Sequence, residues 1–288
     1  MKILLTGATG YLGGHLCRRL IHEGHHVVAV HLNHAEQMVP LDDDEEKNVT
    51  RVYLENTPIE EIIERHAVDG VIHTATLYGR SNESVASMVS ANVVFPVAIM
   101  TSCIKNKVGF FMNTDSMLAK DVSHYALTKG HVVDWMKMFA DQVKMVDMKL
   151  DHFYGPNDKN TKFVAFVLEK LLRNEPSIDL TAGTQTRDFI YVDDVVDAYV
   201  TVINNLDKIK LGSVAVFEVG TNVKTSIRYL VTKLKELTKA TTALNFGAIP
   251  FRRHEMLDYD VDTTALRLLG WSPKVSIDEG LAILSKEG

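Results

Sequence analysis

The sequence is poor in cysteine and has no excess of positive charge. Only two cysteines, Cys17 and Cys103, occur in 288 residues, and both fall in apolar helical patterns. Two such thiols do not make a disulfide framework, so we expect buried cysteines in a reducing compartment. The net charge of -6 gives no broad electrostatic reason to bind nucleic acid or an anionic membrane. Any anion must therefore be held by local contacts.

Leader-like segments and long hydrophobic runs are also missing. The opening MKILLTGATG contains a short apolar run that ends in glycine, which predicts a first strand rather than a signal-peptide core. We find no stretch that looks long enough to cross a bilayer. The histidines show no spacing typical of a metal site. We therefore expect a cytoplasmic protein that has no metal and no nucleic-acid or membrane partner.

The segment KILLTGATGYLGGHLCRRLIHEGHHVVAV contains a strand, a glycine turn, an amphipathic helix and a second strand. Gly7, Gly10 and Gly13 give the turn a G-x-x-G-x-x-G spacing. Glycine lets the backbone turn tightly, and it lets a pyrophosphate approach the amide groups at a helix N-terminus. Between a strand and a helix, this spacing predicts a dinucleotide-binding site.

The end of the second strand bears on the choice of dinucleotide. An NAD-binding unit usually carries Asp or Glu at this place to hold the ribose 2′-hydroxyl. Here the sequence is VHLNH, with His31 and Asn33 and without a carboxylate. The missing acid favours NADP(H), with NAD(H) as second choice. The alternative is that these side chains are ordinary polar groups of a loop.

Buried strand patterns and helical patterns continue to alternate up to about residue 155. The alternation predicts an α/β fold with a doubly wound parallel sheet (Rossmann) and a smaller C-terminal α/β substrate lobe. We place the dinucleotide-binding domain at 1–155, with returning segments near 187–205, and the substrate lobe mainly at 156–288. A long helical pattern from about Val85 to Lys107 should be kinked by Pro96.

The stretch HYALTKG places a phenol and an ammonium one helical turn apart, at Tyr125 and Lys129. Such a pair alone is more often helix surface than a catalytic site. Its surroundings have to decide between these interpretations.

The surroundings resemble those of a known family. The quoted motifs are TGATGYLG, IHTAT, Asn92 in SANVVFP, a Thr/Ser strand end before YALTK, FYGP, RDFIYVDDVVDA and LGW, in that order. In this combination the chain resembles the extended short-chain dehydrogenase/reductases that act on nucleotide sugars. LYGRSNES, LDHFYGPND, LTAGTQTRDFIYVDD and FRRHEML narrow the resemblance to the 4-keto-sugar reductases of the CDP-abequose and CDP-paratose synthase group.

The resemblance implies roles for the residues around the tyrosine. Tyr125 is expected to be the acid/base, and Lys129 is expected to lower its pKa and to bind the nicotinamide ribose. A strand-end hydroxyl, Thr114 or Ser116, should polarise the carbonyl, and the register leaves both open. Related 4,6-dehydratases carry Thr-Asp-Glu here, whereas this chain has Thr-Asp-Ser, so dehydration is disfavoured.

The resemblance also implies the ligand contacts. Arg187 and Arg252 are candidates for the substrate diphosphate, with Arg253 as a substitute for the latter, because arginine suits oxyanions. The alternative for each is a surface salt bridge, and for the sugar-side residues a loop without ligand. The expected cofactor residues are Gly7, Thr9, Gly10, Tyr11, Leu12, Gly13, His31, Asn33, Ala75, Thr76 and Lys129. The expected substrate residues are Tyr78, Arg80, Asn82, His152, Lys162, Phe163, Arg187 and Arg252.

Three functions follow from this sequence. The first is NADPH-dependent reduction of the C4 ketone of a nucleotide-linked 4-keto-deoxyhexose, for surface polysaccharide. The second is a nucleotide-sugar 4-epimerase that retains NAD. The third, a protein that binds NADP(H) without turnover, is disfavoured because both Tyr125 and Lys129 are present. Two helical patterns carry apolar residues that are core by default: Met100, Ile104, Val132, Met136 and Phe139. The resemblance implies that these two helices pair with a second subunit as a four-helix bundle, so we expect a homodimer.

Overall fold

The computed structural model describes residues 1–35, 38, 40–80, 82–158, 160–251 and 256–287. The chain forms two compact units. Unit 1 comprises Met1–Leu150 and Tyr199–Phe217, and unit 2 comprises Asp151–Ala198 and Glu218–Gly288.

Unit 1 contains a seven-stranded sheet in the order β10-β6-β5-β4-β1-β2-β3. Its strands are β1 (Lys2–Thr6), β2 (His26–His31), β3 (Val49–Tyr53), β4 (Gly70–His73), β5 (Phe110–Ser116), β6 (Lys144–Leu150) and β10 (Val214–Val219). The five pairings from β6 to β3 are parallel. The chain order reverses between β1 and β4, which is where a doubly wound sheet opens a crevice for a ligand. The predicted Rossmann sheet is confirmed.

Six helices of unit 1 connect these strands: α1 (Tyr11–His22), α2 (Asp43–Glu46), α3 (Ile59–His66), α4 (Val85–Val89), α5 (Phe95–Lys105) and α6 (His124–Phe139). Helices α3, α5 and α6 cover one face of the sheet through an apolar core that includes Leu4, Phe111 and Met145. Successive side chains of a strand point to opposite faces of the sheet. A residue two positions along the strand from Leu4, Phe111 or Met145 therefore points to the same face as that residue.

The irregular part of the long helical pattern lies before Pro96, between α4 and α5. Residues Ser90–Val94 form one turn of π-helix, and Pro96 occupies the first turn of α5. Inside a continuous helix a proline lacks the N–H that would bond to the preceding turn, and a π-turn is a known site of such helix irregularity. The predicted kink is therefore a π-turn, and Asn92 at its centre is buried.

Segment 85–105 corrects the expectation that no stretch of the sequence is long enough to cross a bilayer. Among the residues that the structure describes, it is a helix of 21 residues that is long and apolar enough to cross a membrane. The π-turn keeps α4 and α5 continuous, so Pro96 does not divide the segment. Its residues Ile99, Met100 and Cys103 pack in the core of unit 1, as in the core helix of a globular domain.

Unit 2 holds a three-stranded sheet, β11-β9-β7, and a two-stranded sheet, β12-β8. Its strands are β7 (His152–Tyr154), β8 (Ser177–Leu180), β9 (Thr186–Tyr191), β11 (Lys224–Ser226) and β12 (Ala243–Phe246). Its helices are α7 (Phe163–Leu172), α9 (Ile227–Thr238), α10 (Thr264–Leu268) and α11 (Ile277–Glu287). Helix α8 (Val192–Ile203) contains the chain boundary between the two units.

The observed units differ from the predicted domains in two segments. The segment predicted to return at 187–205 divides at Tyr199, because β9 pairs with β7 and β11 of unit 2. Strand β10 was expected in the substrate lobe, but it is the edge strand of the large sheet, next to β6.

Candidate active site

The loop after β1 is built so that only glycine fits its turn. Gly7 has φ +72, and a Cβ atom there would lie 2.6 Å from Thr74 Oγ1 and 2.7 Å from the Ala75 amide nitrogen. A Cβ on Gly13 would lie 2.0 Å from the Gly7 carbonyl oxygen. Gly10 precedes α1 and offers no side chain to cap it. The first turn of α1 therefore presents amide groups that suit a pyrophosphate.

The loop after β4 lies beside this glycine turn. The Ala75 amide donates to Thr6 Oγ1 over 3.4 Å, and Thr76 Oγ1 donates to Asn92 Oδ1 over 3.1 Å. Asn92 also exchanges hydrogen bonds of 2.8 Å with the Leu77 backbone, and it donates to Thr128 Oγ1 over 3.1 Å. The buried amide of Asn92 thus links the loop carrying Ala75 and Thr76 to α6.

The end of β2 differs from what its sequence indicates. His31 is only 1% exposed, and its ring packs beside Tyr53, with 5.3 Å between the ring centroids. Asn33 Oδ1 accepts from the Ala35 amide. A carboxylate does occur nearby, because Glu55 Oε1 lies 3.3 Å from His34 Nε2. Burial removes His31 as a solvent-facing ligand for a 2′-phosphate, and of the two predicted residues Asn33 is the one that is partly accessible.

Helix α6 carries the tyrosine and lysine. Ser123 caps its start by accepting from the Ala126 amide over 3.1 Å. Lys129 is 3% exposed, and its Nζ donates to the Thr114 carbonyl oxygen over 2.8 Å. Burial lowers the pKa of Lys129 from 10.5 to about 8, against the opposing influence of Asp115 and Asp147. The lysine is therefore fixed at the end of β5.

The structure contradicts the predicted influence of Lys129 on its neighbour. Burial raises the pKa of Tyr125 above its usual value, and Tyr78 and Asp115 raise it further. The cation that lowers this pKa is Arg80. Tyr78 lies between the two groups, with its ring centroid 5.0 Å from that of Tyr125 and 5.2 Å from the Arg80 guanidinium carbon. Burial removes the water that would solvate the phenolate, and this loss of hydration outweighs the attraction of the nearby Arg80 charge.

The two strand-end hydroxyls have different partners. Thr114 Oγ1 and the Tyr199 hydroxyl are 2.7 Å apart. Ser116 Oγ accepts from the Leu118 amide over 3.1 Å. Tyr199 lies in α8 within the segment of unit 1, and it also raises the pKa of Tyr125. Our sequence analysis missed Tyr199, because its position in an apolar helical pattern indicates only core.

Asp115, between these two hydroxyls, is the acid of the Thr-Asp-Ser triplet. It is 2% exposed, and Lys120 Nζ lies 2.7 and 2.8 Å from its two carboxylate oxygens. Lys120 also donates to the Ser116 carbonyl oxygen. Asp115 therefore has a cationic partner on both of its oxygens. We had not assigned Lys120, and the signal for it is its spacing of five residues from the acid.

The loop after β4 also contains Asn82, which is exposed and has φ +61. Arg80 and Tyr78 of the same loop are exposed as well. Three residues expected at the substrate are thus on one exposed loop of unit 1, and Tyr78 alone contacts the Tyr125 ring among the contacts described above.

The remaining predicted substrate residues belong to unit 2. His152 Nδ1 is 2.6 Å from Asp151 Oδ1, and Tyr259 donates its hydroxyl proton to the same carboxyl group. This arrangement orients the half-exposed imidazole of His152. Arg187 is 8% exposed and donates to the carbonyl oxygens of Thr186 and Met256 over 2.6 and 2.7 Å.

Two further residues stand at the start of α7. Lys162 Nζ lies 3.9 Å from the Phe153 ring centroid and 3.5 Å from Asp158 Oδ2. Phe163 is partly buried against the apolar core of unit 2. Arg252 and its neighbour Arg253 lie outside the residues that the structure describes.

This geometry defines a dinucleotide-binding enzyme fold with a tyrosine and a lysine at the end of β5. The model of the NAD dependent epimerase/dehydratase family matches residues 3–220, and the chain belongs to this family. It is 32% identical to a CDP-abequose synthase of Salmonella muenchen, over 97% of this chain and 95% of that protein. It is 30% identical to the CDP-abequose synthase of Salmonella typhimurium, over 99% and 97%.

Among solved structures, the chain is similar to a UDP-glucose 4-epimerase of Thermotoga maritima determined with UDP-glucose. The TM-score is 0.85 at 25% identity, covering 100% of this chain and 98% of the epimerase. The resemblance to nucleotide-sugar enzymes is confirmed. The protein is an NAD(P)-dependent enzyme of the sugar-nucleotide oxidoreductase type.

Proposed function

We propose that the protein reduces the C4 ketone of a nucleotide-linked 4-keto-deoxyhexose at the expense of NADPH. The product is a deoxysugar nucleotide for surface polysaccharide, made in the cytoplasm. The two CDP-abequose synthases, similar to this chain over nearly their whole length, support a CDP-linked sugar as substrate.

The observation that carries this proposal is the Asp115–Lys120 ion pair beside Thr114 and Ser116. Dehydration needs an acid and a base on the sugar, which the related Thr-Asp-Glu triplet supplies. Here Asp115 is paired through both of its oxygens, and serine replaces the glutamate. The strand end therefore offers hydroxyls to a carbonyl, which suits reduction.

Ketone reduction balances with one hydride and one proton. The cofactor, when bound at the glycine loop, supplies the hydride to C4. Tyr125 donates the proton to the ketone oxygen, and Thr114 polarises that oxygen with a hydroxyl held by Tyr199. The raised pKa of Tyr125 makes the neutral phenol its resting form, as proton donation requires. Lys129 of α6 places its ammonium at the Thr114 carbonyl, at the end of β5, where it would hold the ribose of the nicotinamide.

A 4-epimerase is the second candidate, favoured by the similarity to the Thermotoga enzyme. It would use Tyr125 and Lys129 as well, but it would return the hydride to the other face of the sugar. Net consumption of NADPH with a CDP-4-keto-deoxyhexose distinguishes the two, because an epimerase gives no net change in the absorbance of reduced nicotinamide. Tyr125→Phe should bind NADPH normally and lose turnover by about 10³-fold. Undiminished reduction by this variant contradicts the role of Tyr125.

NADP(H) remains our proposal for the cofactor, supported by the missing acid at the end of β2. Glu55, near His34, is the feature that favours NAD(H) instead.

A homodimer through α5 and α6 is also proposed. The five apolar residues first considered for its interface pack in the core of unit 1. Other apolar residues on or next to these helices are exposed, with Val94 of the π-turn before α5 at 58%, and Trp135 and Met138 of α6 at 44% and 73%. A second copy that covers this face would form a four-helix bundle. Met138→Glu should convert the dimer to monomer in sedimentation, whereas Leu268→Glu, at an exposed leucine of unit 2, should not.

A further inference from the structure

Four polar residues form a buried row across the large sheet. Thr6, His73, Asn113 and Asp147 are paired in register on β1, β4, β5 and β6. None is more than 1% exposed. Such a row in the middle of a core is costly unless its members hydrogen-bond.

The hydrogen bonds of this row have a common direction. Thr6 Oγ1 accepts from the Ala75 amide, so its proton is free for His73 Nδ1, 2.8 Å away. Burial and Lys129 lower the pKa of His73, which keeps the ring neutral. With Thr6 as the donor to Nδ1, the one proton of the ring is assigned to Nε2. Asn113 Nδ2 donates to Asp147 Oδ1 over 2.8 Å.

The middle of the row has atoms still available for a contact. Within the part of the chain that the structure describes, His73 Nε2, Asn113 Oδ1 and Asp147 Oδ2 lack hydrogen-bond partners. Asn113 is paired in register with His73 on one side and with Asp147 on the other. His73 Nε2 and Asn113 Oδ1 are not in direct hydrogen-bond contact, so a proton on the one and an acceptor on the other suit a single bridging water molecule. Each donor then points along the sheet to Asp147.

The end of the row lies on the face of the sheet that α6 covers. Phe111 and Met145, two residues before Asn113 and Asp147, share a core with Val132 and Met136 of α6. Lys129 is on the same helical face as Val132 and Met136, by its spacing of three and seven residues. Its ammonium donates to the carbonyl of Thr114, the residue after Asn113.

We propose that this row orients Asp147 as the buried counter-charge of Lys129. Asp147 is then a positioning residue, which acts on the reaction through the lysine. The inference rests on the proposed function only in that it assigns catalytic use to Lys129.

Other charges act on the same lysine. Asp115 on β5 favours the ammonium as Asp147 does, whereas Lys120 opposes it. The neutral His73 faces it from β4. For Asp147, burial and Asp115 raise the pKa to about 6, and the hydrogen bond from Asn113, Lys120 and Lys149 oppose the rise. Asp115 acts more strongly on Lys129 than Asp147 does, but both of its oxygens are bonded to Lys120. Among the described residues, Asp147 is bonded through Oδ1 to the neutral Asn113 amide and keeps Oδ2 unpaired, so it is the second carboxylate that compensates Lys129.

The test is a direct titration of Lys129 in protein labelled with ¹³C at lysine Cε, without cofactor or substrate. The Lys129 resonance is the one missing from the Lys129→Met spectrum. In Asp147→Asn the Asn113 bond is retained and the charge is lost. The titration midpoint of the Lys129 resonance should fall by about half a pH unit or more in this variant. The matched control is Asp194→Asn, a buried acid of unit 2 bound by the Lys274 and Val275 amides, which should leave the midpoint unchanged.

A second measurement uses the wild-type protein and so does not depend on the folding of a variant. As Asp147 titrates near pH 6, the Lys129 resonance should show an additional inflection. An unchanged midpoint in Asp147→Asn, or a single-step titration in the wild type, overturns the inference. A shifted midpoint in a protein that never oxidises NADPH would support the inference and refute the reductase proposal.

Discussion

Lys120 holds both carboxylate oxygens of Asp115, at 2.7 and 2.8 Å, from a position five residues further along the chain. The carboxylate side chain is fully buried, whereas the lysine side chain is 36% exposed. Removing one partner should therefore cost more stability than removing the other. Loss of the lysine leaves a buried charge, and loss of the acid leaves a lysine that water can solvate.

Lys120→Met should consequently destabilise the fold by about 1–3 kcal/mol, a range reduced because the lysine is partly exposed. Urea denaturation measures the free energy of unfolding. The double variant Asp115→Asn with Lys120→Met should recover most of the loss. A double variant as unstable as the single one would show that the pair is not the cause.

Thr114 and Ser116 can be separated by kinetics. Thr114→Val removes the hydroxyl bonded to Tyr199 and should lower kcat by about 10²-fold. Ser116→Ala removes a hydroxyl that accepts from the Leu118 amide and has no bond to Tyr199, and it should lower kcat by less than about 10-fold if Thr114 is the polarising group. The reverse order would assign carbonyl polarisation to Ser116. Binding of NADPH, measured by fluorescence, should be the same in both variants.

Lys129 makes the stability of the protein depend on pH. Its pKa is about 8 in the fold and ordinarily 10.5. Below pH 8 both the folded and unfolded chains carry the ammonium, and the folded state bears the full cost of burying it. As the pH rises from 8 to 10.5 the unfolded chain binds more protons, so the cost is relieved.

Lys129→Met should therefore raise the free energy of unfolding at pH 7 by about 2 kcal/mol, after the lost bond to the Thr114 carbonyl is allowed for. The gain should shrink as the pH approaches 10, when measured by denaturation at each pH. The variant should at the same time be inactive. A gain that grows with pH has the wrong sign for this account.

Cofactor choice should respond to a single acid at the end of β2. Asn33→Asp places a carboxylate where a 2′-phosphate is expected, and repulsion should lower the NADPH to NADH ratio of kcat/KM by about 10- to 100-fold. Glu55→Gln is the matched control, because it removes the carboxylate already present near His34 and should not lower that ratio. An unaltered ratio in Asn33→Asp would mean that this loop does not contact the ribose.

The features that the sequence predicted correctly are those with a local physical cause. Gly7 and Gly13 have no room for a Cβ atom, so the glycine spacing itself indicates the packed turn. Buried apolar strands that alternate with helices likewise indicate the parallel sheet. The helix that carries Tyr125 and Lys129 was predicted from their spacing in HYALTKG.

The features that the sequence could not reveal depend on burial and on distant partners. The direction of the Tyr125 pKa shift follows from desolvation, which no residue spacing records. Tyr199 reaches Thr114 across 85 positions of the chain. Strand β10 joins the large sheet at its edge, although its sequence is no different from that of a strand in the second unit.

The transfer of hydride from free NADPH to the sugar is the central claim, and an isotope label follows it directly. NADPH that carries deuterium at the reactive carbon of the nicotinamide is incubated with the protein and a CDP-4-keto-deoxyhexose, and the sugar product is analysed by NMR. We predict deuterium at C4 of the product, one atom for each NADPH consumed, and none with Tyr125→Phe. A product that forms without deuterium at C4, while NADPH stays unconsumed, would contradict the proposed reduction.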